Sequence, residues 1–317
     1  MRNSWVVWGC IVLASLCAVR LGDSVIERRE VAILTEVVDE RADYTDLFAV
    51  PVLMYHRVKD LTPKEAQSPL LRDLTVSPEE FEKQIAWLVE QGFTFLFARE
   101  VEQAVREGTM LPEKSVAITL DDGYLDNFEQ AYPILKKYGA KATIFMTTVN
   151  LTRPDRLHAM HLVEMRKHQV RYGSHTVHHY DLVSLDPDVL DFELVESKRV
   201  LEEILGEEID SLAYPSGEYN QVVVLHALGA GYRAGWKKGG GMVTPDEDLM
   251  LLPRVRVSGR HTMIDFERKI NARLASLKRL REGLSIEDLR QVMAKSKAAQ
   301  PEPSSDEIDP EEWPQAV

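Results

Sequence analysis

Two aspartates stand side by side in the stretch AITLDDGYLDN, residues 117–127, directly after an apolar, β-branched run. Adjacent acids are common on solvated surfaces, where they carry no special function. Asp121 and Asp122 instead end a run that predicts a buried strand, and neighbouring strand residues point to opposite faces. Two carboxylates in that position indicate a functional site. Gly123 permits a sharp turn after them, although glycine there is equally an ordinary turn signal.

A second group of chemically active residues is YGSHTVHHYDL, residues 172–182, in which His175 and His179 are four positions apart. Two histidines that converge with a carboxylate from another strand form a His₂Asp set with open positions, typical of a catalytic metal site. The same ligand set accepts zinc, cobalt and iron-type ions, so the sequence does not identify the metal. His178 lies between the pair and is predicted to point elsewhere.

Strand and helix patterns alternate along the chain around these motifs. Short β-rich runs are predicted at residues 51–55, 93–97, 116–120, 142–146, 170–174, 211–215, 232–236 and 252–257. Helical stretches separate most of them, such as residues 77–92, where Ser77 can cap a helix with one apolar face. With seven or eight strands, the alternation predicts an α/β fold, a distorted (β/α)7-type barrel. Functional residues of such barrels collect at the carboxyl ends of the strands, where the paired aspartates fall.

Three motifs together resemble a known family, the polysaccharide deacetylases with NodB homology, also called family 4 carbohydrate esterases. The motifs are TLDDGY at 119–124, HTVHH at 175–179 and AYPSG at 213–217. Their order and separations are more specific than any one motif. The resemblance spans about residues 50–257 and implies a single NodB-like barrel domain.

The resemblance also implies roles for the acidic and histidine residues. Asp122, His175 and His179 would hold a divalent metal, usually zinc, with cobalt or iron(II) as alternatives. Asp121 would be the general base that takes a proton from water as the water attacks an N-acetyl carbon. One carboxylate would then be a ligand and its neighbour a base. The backbone N–H of Ser216 would help to stabilise the oxyanion.

The chain departs from the common family pattern at the residue that orients the base. Many members carry an arginine two residues before the motif proline, whereas this chain has Ala213 there. Arg254 in LPRVRV is the candidate to supply the missing charge, and Arg256 is the second candidate. A surface position on the strand is the alternative for either arginine.

The second departure concerns the late Leu-x-His motif, whose histidine serves as general acid toward the departing amine. His226, in a helical pattern, and His261, in a turn, do not match it. His56 in PVLMYHRV is the candidate replacement because it ends the first predicted strand. The MYH and AYPSG stretches together resemble the branch that acts on exported poly-β-1,6-N-acetylglucosamine, in which the early histidine stands in for the late one. Capping of a neighbouring carbonyl is the alternative role for His56.

Aromatic residues at strand ends are candidates for contact with a sugar. Tyr124 and Trp236 are predicted to stack on pyranose C–H groups, with core packing as the alternative, and Tyr214 of AYPSG is a further candidate. The glycine-rich stretch 235–242 predicts a flexible rim loop. Three other histidines in a helical region are interpreted as surface or packing residues: His158, His161 and His168.

The N-terminal segment, residues 1–22, is predicted to be a signal peptide or an uncleaved membrane anchor. An early arginine precedes an apolar run over residues 5–19, but no convincing small-x-small cleavage site follows. A buried helix of the globular domain is the third interpretation. Cys10 and Cys17 both lie in this segment, so the rest of the chain has neither disulfides nor thiolate metal sites.

The remaining boundaries follow from composition. Residues 23–49 are predicted to be a linker, 50–260 the barrel, and 261–297 amphipathic helices that pack on the domain or lie on an anionic membrane. Residues 298–317 form an acidic tail of six acidic and no basic residues, whose composition predicts disorder. The net charge of −13 and the lack of an extended basic groove argue against a nucleic-acid partner.

The sequence therefore predicts a metal-dependent deacetylase of an exported, N-acetylglucosamine-containing polysaccharide. Its expected location is periplasmic, extracellular or anchored at the cell envelope. One alternative is hydrolysis of another amide or a cyclic imide on the same fold. The other is a catalytically weakened carbohydrate-binding protein that helps to export the polymer, against which the intact Asp-Asp-His-His set argues, because a binder needs no base beside a metal site.

Overall fold

Seven parallel strands close into a barrel in the computed structural model, which describes residues 48–109 and 111–271. The strands are β1 (Val52–Tyr55), β2 (Arg57–Val58), β3 (Thr75–Val76), β4 (Thr94–Leu96), β5 (Ser115–Asp121), β6 (Ala142–Met146), β7 (Val170–Ser174), β8 (Ser211–Ala213), β9 (Ala234–Gly240) and β10 (Leu252–Arg256). The ring follows the order β1, β5, β6, β7, β8, β9, β10, and β10 pairs with β1 to close it. The predicted seven-stranded barrel is confirmed.

One predicted strand lies outside the ring. β4 pairs with the amino-terminal half of β5, while β6 pairs with the carboxyl-terminal half of β5, and β1 occupies the other edge. β4 therefore does not take part in closure. The prediction of a rim loop at 235–242 is wrong for most of its length, because β9 continues to Gly240.

Helices on the outside of the barrel connect successive strands. They are α1 (Pro69–Leu74), α2 (Pro78–Glu90), α3 (Ala98–Glu107), α4 (Tyr132–Tyr138), α5 (Ala159–Arg166), α6 (Pro187–Leu205) and α7 (Gln221–Gly229), and residues 263–271 are also helical. Ser77 caps α2 as predicted, since its side chain accepts the Glu80 N–H at 3.2 Å. The apolar face of α2 is buried through Phe81, Ile85 and Leu88.

Alternate strand residues divide the core into two layers, because successive side chains of a strand point to opposite faces. One cluster fills the barrel and includes Val52, Ala117, Phe145, Ala213, Trp236 and Leu252. The other packs the barrel against the helices and includes Leu53, Ile118, Ile144, Leu212 and Tyr214. This period of two decides which strand residues can reach a site inside the barrel.

The predictions for residues 1–22, most of 23–49, 272–297 and 298–317 lie outside the described residues. Within 48–109 and 111–271, no helix combines the length and the apolar character that a membrane span needs.

Candidate active site

The chain reverses direction directly after β5, and this reversal separates the two aspartates. Asp121 is the last residue of β5 and is 2% exposed. Asp122 and Gly123 adopt left-handed backbone conformations, with φ of 73° and 66°. The φ of 66° at position 123 favours glycine, and a Cβ atom there would also lie 2.5 Å from the end of the Met146 side chain, which would have to shift. The two adjacent carboxylates therefore face different partners.

Arg254 of β10 faces Asp121 inside the barrel. Its Nη1 and Nη2 donate to Oδ1 and Oδ2 of Asp121 at 2.7 and 2.8 Å, the paired geometry of a strong ion pair. Burial alone would raise the pKa of Asp121, but the positive charge of Arg254, with His175 and His56, holds it at about 2. Asp121 is therefore an ionised carboxylate with a fixed orientation.

Ala213 and Arg254 both belong to strands whose alternate residues point into the barrel. An arginine from β10 thus reaches the carboxylate that, in the common family pattern, an arginine at position 213 would reach. Arg256 is two positions further along β10 and pairs with Asp73 near the cavity mouth instead. Of the two candidate arginines, the structure places Arg254 against Asp121.

Asp122 faces the two motif histidines and forms a three-residue group that fits a divalent ion. Its Oδ1 lies 3.6 Å from Nε2 of both His175 and His179, and the three ligand atoms all lie within 4.8 Å of one another. Ligands held tetrahedrally at about 2.0–2.2 Å from one ion are about 3.4 Å apart, so little adjustment is needed. His175 Nδ1 lies 2.7 Å from the Ala213 carbonyl, which leaves Nε2 free for a ligand. Burial lowers the pKa of His175 despite the nearby aspartates, and neutral imidazole is the form that metals bind.

The loop that carries both histidines is held by Glu193 of α6, a residue that the sequence patterns did not single out. Its Oε2 accepts the backbone N–H groups of Val177 and His178 at 3.0 and 2.8 Å, and its Oε1 lies 2.5 Å from His178 Nδ1. His178 thus turns toward Glu193 rather than toward Asp122. The signal available in the sequence was an acid in line with the buried face of α6, formed by Leu190, Leu194 and Ser197.

A cavity of about 290 Å³, here called the first cavity, brings most of the predicted site residues together. They are His56, Asp121, Asp122, His175, His179, Tyr214, Ser216, Arg254 and Arg256. His56 follows β1, and its carbonyl accepts the Asn127 side-chain amide at 2.9 Å. Burial lowers the pKa of His56 although Asp121 opposes this, so the ring is neutral near pH 7. Ser216 lies in the turn Pro215–Gly217 with φ of 57°.

Comparison with known proteins places this chain in a family. A sequence profile described as polysaccharide deacetylase matches residues 109–235. The Bacillus subtilis protein YxkH, which is named after the same family, is 34% identical over 209 residues, 66% of this chain and 71% of YxkH. This chain belongs to the polysaccharide deacetylase family. As a polysaccharide deacetylase, it is an enzyme that hydrolyses N-acetyl amide bonds.

One further sequence relative and one solved structure are similar to this deacetylase. A poly-β-1,6-N-acetyl-D-glucosamine N-deacetylase from Staphylococcus epidermidis is 27% identical over 227 residues, 65% of this chain and 78% of the relative. The solved structure of the Streptococcus pyogenes deacetylase PplD in complex with acetate superimposes with a TM-score of 0.67 at 30% identity. That match covers 71% of this chain and 99% of PplD. His56 and Arg254 lie outside the residues that the family profile matches.

One predicted substrate contact of this deacetylase is wrong. Trp236 is fully buried inside the barrel, where its Nε1 donates to Glu102 at 2.7 Å and to Ser211 at 3.0 Å. Its inward position on β9 lies level with Leu252, below the site. The ring therefore packs in the core and cannot stack on a sugar.

The two predicted tyrosine contacts differ in their exposure. Tyr214 borders the first cavity, but its side chain is fully buried and its ring packs on Tyr219 with centroids 5.5 Å apart, so it offers no open face to a sugar. Tyr124 is partly exposed, and guanidinium groups of Arg57 and Arg156 lie 4.5 and 4.1 Å from its ring centroid. Of the two, Tyr124 is the one whose side chain reaches open space near Asp122.

The other histidines of the deacetylase have local partners away from the first cavity. The His158 N–H donates to His161 Nδ1 at 3.0 Å at the start of α5, and the Ser258 N–H donates to His261 Nδ1 at 3.0 Å. His226 Nδ1 lies 2.6 Å from Asp191.

Proposed function

We propose that this polysaccharide deacetylase removes acetyl groups from an exported N-acetylglucosamine polymer of the β-1,6-linked type, with the help of a bound divalent metal. The observation that carries the proposal is a buried, ionised Asp121 held by Arg254 in the same cavity as the Asp122, His175 and His179 group. The named activity of the Staphylococcus epidermidis relative supports this class of polymer.

The metal would be held by Asp122, His175 and His179, and zinc is the ion that this nitrogen and oxygen set suits best, with cobalt and iron(II) as alternatives. When bound, the ion supplies a Lewis acid that polarises the amide carbonyl and makes water acidic enough for a carboxylate of low pKa to deprotonate it.

Asp121 acts as the general base, and Arg254 positions it. The two parallel hydrogen bonds from Arg254 fix the plane of the carboxylate. They also hold its pKa at about 2, so the group is ionised near neutral pH. Its carboxylate borders the first cavity, so a reactant bound there can approach it. The acetamide group therefore enters the first cavity over Asp121.

The backbone of Ser216 and the side chain of His56 act on the oxyanion and on the departing amine, respectively. The N–H of Ser216 stabilises the developing oxyanion, and His56 protonates the departing amine. Burial lowers the pKa of His56, so the ring is neutral in the free protein. The proton that Asp121 takes from the attacking water must therefore pass to His56, which delivers it to the departing amine.

We further propose that the protein acts outside the cytoplasm, with residues 1–22 as its export signal or membrane anchor. The Staphylococcus epidermidis relative is named for its action on poly-β-1,6-N-acetyl-D-glucosamine, and an exported polymer of this kind supports the proposed location.

The test is amine release from β-1,6-linked N-acetylglucosamine oligomers by the protein without residues 1–22. It is run as purified, after chelation, and after zinc or cobalt is restored. Loss with the chelator and recovery with the metal are expected. No release with any metal, with peptidoglycan and chitin fragments also inert, would overturn the proposal.

A further inference from the structure

Two adjacent polar residues tie the segment that follows β1 to the segment that follows β5. They are Asp126 and Asn127, here called the 126–127 pair, and they are only 6% and 0% exposed. Their side chains bond to three consecutive residues, 56–58, the first of which is the proposed general acid His56. The pair is therefore placed to influence the chemistry without touching the reactants.

Each member of the pair bonds to a different part of the segment 56–58. The Asn127 side-chain amide donates to the His56 carbonyl at 2.9 Å. Oδ1 of Asp126 accepts the Val58 N–H at 2.9 Å, and its Oδ2 accepts from Nε and Nη2 of Arg57, both at 2.9 Å. The peptide group after His56 and the backbone two residues further on are thus both fixed.

The backbone before His56 is held by the same part of the chain. Tyr55, the last residue of β1, lies opposite Leu120 of β5 in the parallel ladder. Leu120 immediately precedes Asp121, the proposed base. His56 is therefore tethered on both sides to the stretch that carries Asp121, so this stretch sets the separation of acid and base.

The oxygen of the Asn127 amide shows that this residue does not serve stability alone. Its Oδ1 is buried and has no hydrogen-bond partner among the described residues. A buried polar atom without a partner destabilises the folded state, and native proteins contain few of them. The nitrogen of the same amide bonds to His56, and more weakly to Asp126 Oδ1 at 3.3 Å. The bond to His56 is then the feature that accounts for an asparagine at this position.

The backbone at Asn127 is a second, independent indication of a functional role. Residues Asn127–Ala131 form a single π-helical turn directly before α4, and the Tyr132 N–H donates to the Asn127 carbonyl. Such turns are rare in proteins and frequently lie at functional sites. The local structure at residue 127 therefore departs from an ordinary helix start at the point where His56 is held.

We propose that the 126–127 pair positions His56 for delivery of a proton to the departing amine, with the Asn127 amide as the decisive contact. This inference rests on the proposed function. Both residues lie outside the lining of the first cavity, whereas His56 belongs to it. Asp126 and Asn127 thus act through His56 and are positioning residues.

The variant that tests this role is Asn127→Ala, which removes the hydrogen bond to the His56 carbonyl. Loss of alignment should lower kcat for β-1,6-linked N-acetylglucosamine oligomers by about a hundredfold, with KM changed by less than about twofold. The ester 4-nitrophenyl acetate releases a stable phenolate anion, which needs no proton from His56. Its kcat in the same variant should therefore stay within about twofold of the wild-type value.

The matched control is Thr143→Val, which removes another buried hydrogen bond between a side chain and the backbone. Thr143 Oγ1 accepts the Ala98 N–H at 3.0 Å near the amino-terminal end of the barrel, outside the lining of the first cavity. The midpoint of thermal unfolding should fall in both Thr143→Val and Asn127→Ala. Only Asn127→Ala should change the ratio of oligomer turnover to ester turnover.

Combination with His56→Ala distinguishes positioning of His56 from a general structural role. If Asn127 acts only through His56, the double variant should turn over oligomers at the rate of His56→Ala alone. A further loss in the double variant would overturn the inference. An equal loss on oligomer and ester in Asn127→Ala, or wild-type kcat on oligomers, would also overturn it.

A second variant covers the case in which Asn127→Ala does not fold. Asp126→Asn keeps an acceptor for the Val58 N–H but removes the charge that faces Arg57. It should lower oligomer kcat by about tenfold and leave ester kcat within about twofold of the wild type, and unchanged oligomer turnover would count against the inference. A wild-type protein that releases amine from no oligomer would instead refute the proposed function.

Discussion

Asp121 keeps its negative charge inside the barrel because the guanidinium of Arg254 faces it on both oxygens. An isolated carboxylate in that position would be desolvated without compensation and would take up a proton. The same pair therefore serves the stability of the fold and the ionisation of the proposed base. Two residue-level predictions separate these contributions.

Arg254→Met should lower the free energy of unfolding by about 3–5 kcal/mol, because it leaves a buried charge without a partner. Urea denaturation measures this loss. Arg256→Met is the control, since Arg256 is 25% exposed in its pair with Asp73 and should cost no more than about 1 kcal/mol. Arg254→Met combined with Asp121→Asn should regain most of the stability and no activity. A single Arg254→Met variant as stable as Arg256→Met would contradict the account.

Asp121→Asn should reduce turnover by at least about a hundredfold, because the amide cannot accept a proton. The affinity for zinc should be retained, since Asp122, His175 and His179 are unchanged. Acetate release and a zinc titration measure the two quantities. Turnover close to that of the wild type would exclude Asp121 as the base.

At the scale of elements, alternate residues of each strand point into the barrel, and this alternation decides which side chains can reach the site. Runs such as 116–120 and 142–146 predicted their strands because the apolar pattern is local. Pairing between strands is not local. The sequence therefore could not decide whether Arg254 or Arg256 contacts Asp121, which is 133 positions from Arg254. The wrong prediction for Trp236 has the same cause. A local sequence pattern does not show whether an aromatic residue near a strand end lies in the core or at the rim of the barrel. Acids such as Glu193 escaped notice because a buried acid on a charged helix looks like its solvated neighbours.

Glu102 of α3 is another buried acid, and it predicts a pH dependence of stability. Its Oε1 accepts from Ser211 Oγ at 2.5 Å and from Trp236 Nε1 at 2.7 Å, and burial raises the pKa of Glu102 from 4.5 to about 7. The folded state therefore holds a proton that the unfolded state has released. The contribution of Glu102 to the free energy of unfolding is fully present below about pH 4.5. It is lost as the pH rises to about 7, a change of about 3 kcal/mol.

Glu102→Gln should remove this dependence, because the amide oxygen still accepts both hydrogen bonds. Relative to the wild type, the variant should gain unfolding free energy between about pH 5 and about pH 8. Chemical denaturation at the two pH values measures the difference. Glu107→Gln, on the exposed side of the same helix, should show no such gain. A constant difference between Glu102→Gln and the wild type across this pH range would refute the prediction.

At the scale of the whole molecule, barrel closure assembles the site from segments that are far apart in the chain. Residues after β1, β5, β7 and β8 meet Arg254 of β10 in one cavity. The metal-binding group joins the turn after β5 to the loop after β7, so a bound ion would link two connections of the barrel. Binding to the folded state alone should then be visible in global stability.

Chelation should lower the midpoint of thermal unfolding by about 5–10 °C relative to protein with zinc at about one hundred times its Kd. Scanning calorimetry with and without chelator measures the shift. His179→Ala should show a much smaller shift, because it removes one of the three ligands. An unchanged shift in that variant would mean that the ion binds elsewhere.

The position of Arg254 also bears on how such a barrel can change during evolution. Arg254 of β10 supplies the guanidinium opposite Asp121, and Ala213 of β8 also belongs to the barrel interior. In the family pattern that the sequence resembles, the arginine stands at the position of Ala213. A lineage that exchanges one source for the other must pass through a protein with two buried arginines or with none, and each intermediate carries an unbalanced charge. Such an exchange should therefore be rare and hard to reverse. The strand that carries the arginine would then mark the line of descent of a deacetylase more durably than the identity of its surface residues.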